Sequence, residues 1–155
     1  MKLQWLILGW LLLQPVSRSN NHFEFIDPTG TYILKGVVQK NRIIGHSGEL
    51  RVKLLLQDRI AISFYISSGY PNFASVSFVD TLSYEENSAR YFPTGHSGCS
   101  LVFCFNYHDV ELQQTYTDPV AGCGFANGAV ISTSFKKKSA EQPLIQDLSC
   151  RGTGV

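Results

Sequence analysis

Two copies of the tetrapeptide Gly-His-Ser-Gly, at Gly45-His46-Ser47-Gly48 and Gly95-His96-Ser97-Gly98, place a histidine beside a glycine-flanked serine. That is the raw material of a hydrolase nucleophile. A nucleophile elbow, however, needs a strand, a sharp turn and a helix, with glycines two residues either side of the serine. Neither copy has that spacing, and both read as loops in which Gly and Ser supply turn geometry. His22, His46, His96 and His108 occur singly, without the i, i+2 or i, i+4 spacing that sets two imidazoles on one face for a metal. Among the acids, Asp80, Glu85 and Glu86 come nearest to a cluster. A glycosidase pair needs two carboxylates held roughly 5 to 10 Å apart across a cleft, whereas adjacent Glu85 and Glu86 in a turn diverge. The expectation is a chain that is not an enzyme and holds no cofactor or metal.

The elements that must carry any site are strands. In Ile60, Ile62, Phe64 and Ile66, alternating with Ala61, Ser63, Tyr65 and Ser67, the apolar period is two. A strand puts all four on one face, whereas a helix would scatter them. Tyr32, Leu34, Gly36 and Val38 follow the same rule, as do Leu50, Val52, Leu54 and Leu56. Val76, Phe78, Leu82 and Tyr84 share a parity that Asp80 interrupts, which predicts a bulge or bend. Glu85-Glu86-Asn87-Ser88 reads as a hairpin turn, and His108-Asp109 as a two-residue turn. Leu101, Phe103 and Phe105 face one way and Val102 and Cys104 the other, as in a strand covered on both sides. Val110 and Leu112 mark a half-exposed strand, and the segment 129–135 completes the set, with Lys136-Lys137-Lys138 as a solvated strand end.

About eight strands joined by short turns predict an all-β fold, an antiparallel eight-stranded up-and-down barrel, because closure removes exposed edges. A two-sheet β-sandwich is the alternative. Lys2 followed by the apolar run from Leu3 to Leu13 reads as a leader too short to span a bilayer, which takes roughly twenty residues. Residues 1–19 are therefore expected to be a signal peptide, 20–139 the barrel domain and 140–155 a C-terminal tail. Removing the leader takes away Lys2 and Arg18 and no acid, leaving eleven basic against twelve acidic residues. That near-neutral balance excludes the broad basic face that nucleic acid requires. No stable membrane insertion is expected after cleavage, and the compartment is periplasmic or secreted.

Four cysteines in an exported chain are disulfide candidates. Cys99 and Cys104 are five apart, so on one strand they point to opposite faces and do not bridge. Cys99 with Cys123 is favoured, since both sit beside turn residues at strand ends. Cys104 then either reaches Cys150 or stays a thiol.

The run Cys123-Gly124-Phe125-Ala126-Asn127-Gly128, ending in Phe135-Lys136-Lys137, resembles the C-terminal signature of a largely uncharacterised group of small exported bacterial β-barrel proteins. In that group a CGFG motif leads to a GxYxK-type strand. Gly30-Thr31-Tyr32 and Cys99-Ser100-Leu101-Val102-Phe103 fit its earlier strands, so the resemblance covers roughly residues 29 to 139. Ala126 replaces the second glycine of the motif, and Ser134-Phe135 replaces its Gly-x-Tyr element. The layout is also similar to that of periplasmic lysozyme inhibitors, which implies export and a calycin-like barrel.

The functional candidate is a surface. Tyr70, Pro71, Asn72 and Phe73 set two aromatics in a Gly- and Pro-bounded loop, where a rigid ring anchors a partner or else closes the barrel end. The expected function is an exported non-catalytic binding protein engaging a protein partner through barrel-end loops, with a lysozyme-type hydrolase as the named class. A small apolar-ligand carrier is the alternative, disfavoured because Ile60, Ile62, Phe64, Phe103 and Phe105 are bulky enough to fill a small barrel.

Overall fold

A computed structural model of the chain describes residues 24–117, 123–125 and 132–148. Residues 1–19, expected to be a leader, together with His22, Cys150 and the start of the segment 129–135, lie outside the described residues. Nine strands run through them: β1 (Gly30–Leu34), β2 (Val37–Gln39), β3 (Arg42–Leu56), β4 (Arg59–Gly69), β5 (Ser75–Glu85), β6 (Ser88–Tyr91), β7 (Cys99–Phe105), β8 (Asp109–Tyr116) and β9 (Thr133–Ser139). Each strand from β3 onward pairs antiparallel with the next, and β1 pairs with both β9 and β3. Eight strands thus close into an up-and-down barrel, with β2 as a ninth outside the ring. The sandwich alternative is excluded by that closure.

The period-two pattern decides what lies inside. Ile60, Ile62, Phe64 and Ile66 are fully buried, as are Tyr32, Leu50, Val52, Leu101, Phe103, Val110 and Phe135. Phe64 sits at the centre, with ring centroids 5.1 Å from Phe78, 5.5 Å from Phe103 and 5.9 Å from Phe135. These contacts fill the barrel axis with aromatic rings.

One end is closed by the chain that leads into β1. Tyr84 donates its hydroxyl hydrogen to the Ile26 carbonyl at 2.7 Å, and Tyr32 donates to the Pro28 carbonyl at 2.8 Å. Asn87 accepts from the Ile26 amide and donates to the Glu24 carbonyl, while Phe25 lies edge-on to Tyr84. Burial pushes both tyrosine hydroxyls well above their ordinary value of 10.0, with nearby Asp27 adding to each shift. The outer wall carries a second strap. Along residues 140–148 the Leu144 carbonyl accepts from Arg51 at 3.1 Å, the Gln146 amide donates to Ser63 at 2.8 Å, and Leu148 is buried. Arg51, 7% exposed, is also paired with Glu49 at 2.6 Å.

Cys99 and Cys123 are bridged, with Cα atoms 5.2 Å apart, while Cys104 on the opposite face of β7 is a free thiol. Burial, aided by Glu111, raises the Cys104 thiol above its usual pKa. By loop length the bridge contributes about 3 kcal/mol. It ties the start of β7 to the stretch 123–125, where Gly124, with φ of +70°, lies directly against the His96 ring.

Several expectations need correction. The turn between β7 and β8 is centred on Tyr107-His108, because Asp109 belongs to β8 and its carbonyl and carboxylate both accept from Asn106 across the turn. Asp80 marks no bulge: β4 and β5 stay in register from Arg59↔Ser83 to Ser67↔Ser75. Asp80 is exposed where β6, paired with β5 only at its base, has left the strand. The first GHSG lies inside β3 and is no loop, whereas the second does lie between β6 and β7. Val102 and Cys104 on the outer face of β7 are half-buried, while the three lysines do fall at the end of β9, with Lys136 and Lys138 exposed.

Two outcomes follow from this core. Phe64→Ala is expected to cost about 3–5 kcal/mol in urea unfolding. The two raised tyrosines bind their protons more tightly folded than unfolded, so their contribution is complete below pH 10 and fades as pH rises above it. Tyr32→Phe with Tyr84→Phe should therefore flatten the alkaline loss of unfolding free energy, by up to about 1.4 kcal/mol per pH unit per group.

Candidate binding surface

At the end of the barrel opposite the Tyr32–Tyr84 closure, β1 and β2 run on as one strand along β3. Leu34 faces Gly48 and Val37 faces Ile44, so three steps on one side oppose four on the other. The extra residue is a bulge beside Gly45, whose φ of +79° is a conformation glycine tolerates. Beyond it, β3 outruns β4, with which its regular pairing ends at Ser47↔Ser67. The β2–β3 hairpin therefore rises above the rim as a two-stranded ribbon. Its turn, Lys40-Asn41, has φ of 47° and 60°, the pair of positive angles that a two-residue type I′ turn demands.

The apolar residues of this ribbon are exposed. Val37 pairs with Ile44 on one face and Val38 with Ile43 on the other. Val38 is 71% exposed. The expectation that Val38 continues the core face of Tyr32 and Leu34 is thus overturned, because past the rim there is no interior to face. Leu56, 64% exposed at the far end of β3, fails for a different reason: a register shift after Leu54, which still faces Ile60, sets Leu56 opposite exposed Arg59.

Tyr70, Pro71, Asn72 and Phe73 stand beside the ribbon in the β4–β5 connection. Tyr70 donates its amide hydrogen to the Ile43 carbonyl at 2.9 Å and forms an isolated parallel bridge with Ile44. The Phe73 amide returns to the Gly69 carbonyl at 2.7 Å, and Ser68 and Ala74 close the loop through backbone and hydroxyl bonds. Gly69, at φ of +65°, leaves no room for a side chain: a Cβ there would lie 2.6 Å from the Gly45 carbonyl oxygen and 2.7 Å from that of Ile43. The Tyr70–Pro71 bond is cis, and Phe73 holds a left-handed φ of 50°, unusual for a bulky residue.

The two rings meet edge to face at 6.0 Å, and the Arg42 guanidinium lies 4.5 Å above the Tyr70 ring. Tyr70 is 40% and Phe73 65% exposed. Neither ring belongs to the buried core cluster. Between ribbon, loop and wall runs a cleft of about 740 Å³, lined by Ile33, Leu34, Ile43, Tyr65, Phe73 and Leu148 among others. Val37, Val38, Arg42, Ile43 and Ile44 are the surface residues that sequence reasoning missed. The signal was the adjacent pairs Val37-Val38 and Ile43-Ile44 around a Lys-Asn turn, which place apolar side chains on both faces of one hairpin.

Among the described residues, the two serines of the GHSG copies stand on different elements. Ser47 lies in β3 and Ser97 in the β6–β7 connection. No group of three or more histidine, cysteine, aspartate or glutamate side chains is placed to hold a metal among the described residues. Glu85 and Glu86 are both exposed. Asp109 is held below the ordinary carboxylate range by the Lys136 ammonium and the Asn106 amide. No helix among the described residues is long and apolar enough to cross a membrane. No family model, curated protein or solved structure matches the chain.

Because both rings lie outside the core, Tyr70→Ala and Phe73→Ala are each expected to change stability by less than about 1 kcal/mol in thermal or urea unfolding.

Proposed function

We propose that the chain is an exported, non-catalytic binding module that engages a protein partner through the β2–β3 ribbon and the loop 69–74. The observation that carries this reading is the exposed, preorganised patch: two contacting aromatics, an arginine over one of them, and four aliphatic side chains on a rigid ribbon. Tyrosine and arginine are the residue types that dominate binding energy when a partner desolvates them. Leaving such a surface in water is unfavourable, and contiguous apolar patches on soluble chains mark interaction sites. The backbone that holds the patch is hydrogen-bonded within the loop and to the ribbon, an arrangement that lowers the ordering cost of association. The Cys99–Cys123 bridge accords with an oxidising compartment outside the cytoplasm.

A lysozyme-type hydrolase is the partner class we put forward. Its cleft carries a carboxylate pair, and the ribbon tip brings Lys40 and Arg42 to a narrow projecting edge. The carrier alternative draws no support from the barrel axis, which the Phe64 ring cluster fills.

The reading is tested by calorimetric titration of the folded protein with a lysozyme, together with cell-wall hydrolysis and an affinity pull-down from the extracytoplasmic fraction. Binding that weakens at least about tenfold in Tyr70→Ala and Val38→Asp, with unfolding temperature retained, is the expected result. If both variants hold the captured partner as tightly as the unaltered protein does, the patch is not the contact surface.

A further inference from the structure

Net charge conceals how the charges are sorted along the barrel. From residue 35 to residue 48 the chain carries Lys35, Lys40 and Arg42, all exposed, and no carboxylate; from 67 to 79 it carries no charge at all. These two segments build the ribbon and the loop beside it. At the opposite end lie the entry to β1 and the β3–β4 and β5–β6 turns. They present Glu24, Asp27, Asp58, Glu85 and Glu86, all exposed, with Arg59 following Asp58. That end is also apolar in part: Phe25 is 50%, Leu56 64% and Tyr107 54% exposed.

We propose that these two ends bind each other, so that the chain on its own associates head to tail, the cationic ribbon of one copy on the acidic closure of the next. Each end offers exposed apolar area; the ribbon and its loop carry only cations, while at the closure five exposed carboxylates outnumber Arg59 and Lys137, so the net signs are opposite. Complementary potentials steer encounter and fix orientation, while like ends repel and disfavour the symmetric pairing of ribbon on ribbon. The contact is heterologous, with different patches on the two copies, so it leaves one free ribbon and one free closure on every pair and can extend. The second copy covers the patch assigned above to a protein partner, so self-association and partner binding compete. The inference goes beyond the partner reading and is tested without any other protein present.

The experiment is sedimentation equilibrium of the full chain from about 1 to about 200 µM, at roughly 20 mM and roughly 500 mM salt. Expected is an average mass that rises with concentration at low salt, with association at least about tenfold weaker at high salt. Lys40→Gln with Arg42→Gln disables the ribbon end, and Glu85→Gln with Glu86→Gln disables the closure end. Each double variant alone should associate more weakly than the unaltered chain. An equimolar mixture of the two should form a one-to-one pair that stops at two chains, since each partner keeps one intact end. A single-chain mass at every concentration overturns the proposal, as does association that ignores salt or that neither double variant weakens. A discrete dimer lost only with the ribbon substitutions would establish a symmetric contact instead and equally overturn it. None of these outcomes bears on whether a different protein binds the ribbon, which the titration with lysozyme decides separately.

Discussion

The pairing of β1 with both β3 and β9 is the constraint on which the rest of the molecule depends. A sheet of this length would otherwise end in two rows of unpaired amides and carbonyls, and β1 removes both edges by joining them. Closure also creates the inside. Once the ring exists, every second residue of each strand must fill a narrow axis, and Phe64, Phe103 and Phe135 do so by meeting there. The end closure through Tyr32 and Tyr84 follows, because residues near the mouth of a filled tube need hydrogen-bond partners that the entering chain supplies.

The same constraint explains where the ring stops. β9 is paired with β1 only as far as Ile33, and β4 leaves regular pairing with β3 at Ser67. Past those points the strands have no circle to belong to, and the bulge at Gly45 carries them out as a free ribbon. The exposed aliphatics are therefore a product of chain length against barrel height. A strand pair longer than the wall must project, and what it projects is whatever side chains the sequence places there. Tyr70, fastened to the Ile43 carbonyl, keeps the projection from swinging independently of the loop beside it.

Sequence period was a reliable guide within the wall and a poor one beyond it. Alternation in Ile60, Ile62, Phe64 and Ile66 placed β4 correctly because both its ends lie inside the ring. Alternation through Val38 has the same form, yet that residue is exposed, since period two states which face a side chain occupies and says nothing of whether a wall stands opposite; at Leu56 the register shift after Leu54 breaks the alternation itself. The aromatic loop was legible as a surface from Tyr70 and Phe73 flanked by Gly69 and Pro71. Its coupling to Arg42 was not, for that contact joins residues that come together only through the hairpin's rise. Asp80 misled for a related reason: a charged residue in core parity suggested a kink, where the neighbouring strand had simply departed.

Arg51 and Ser63 point away from the core and would ordinarily count among the positions free to drift. The strap over them alters that: Ser63 accepts a hydrogen bond from the Gln146 amide and Arg51 donates one to the Leu144 carbonyl. Two sites on the solvent side of the wall thereby acquire the substitution tolerance of interior ones, and because their partners are main-chain groups, present whatever side chains stand at 144 and (proline aside) 146, the constraint falls on Arg51 and Ser63 themselves.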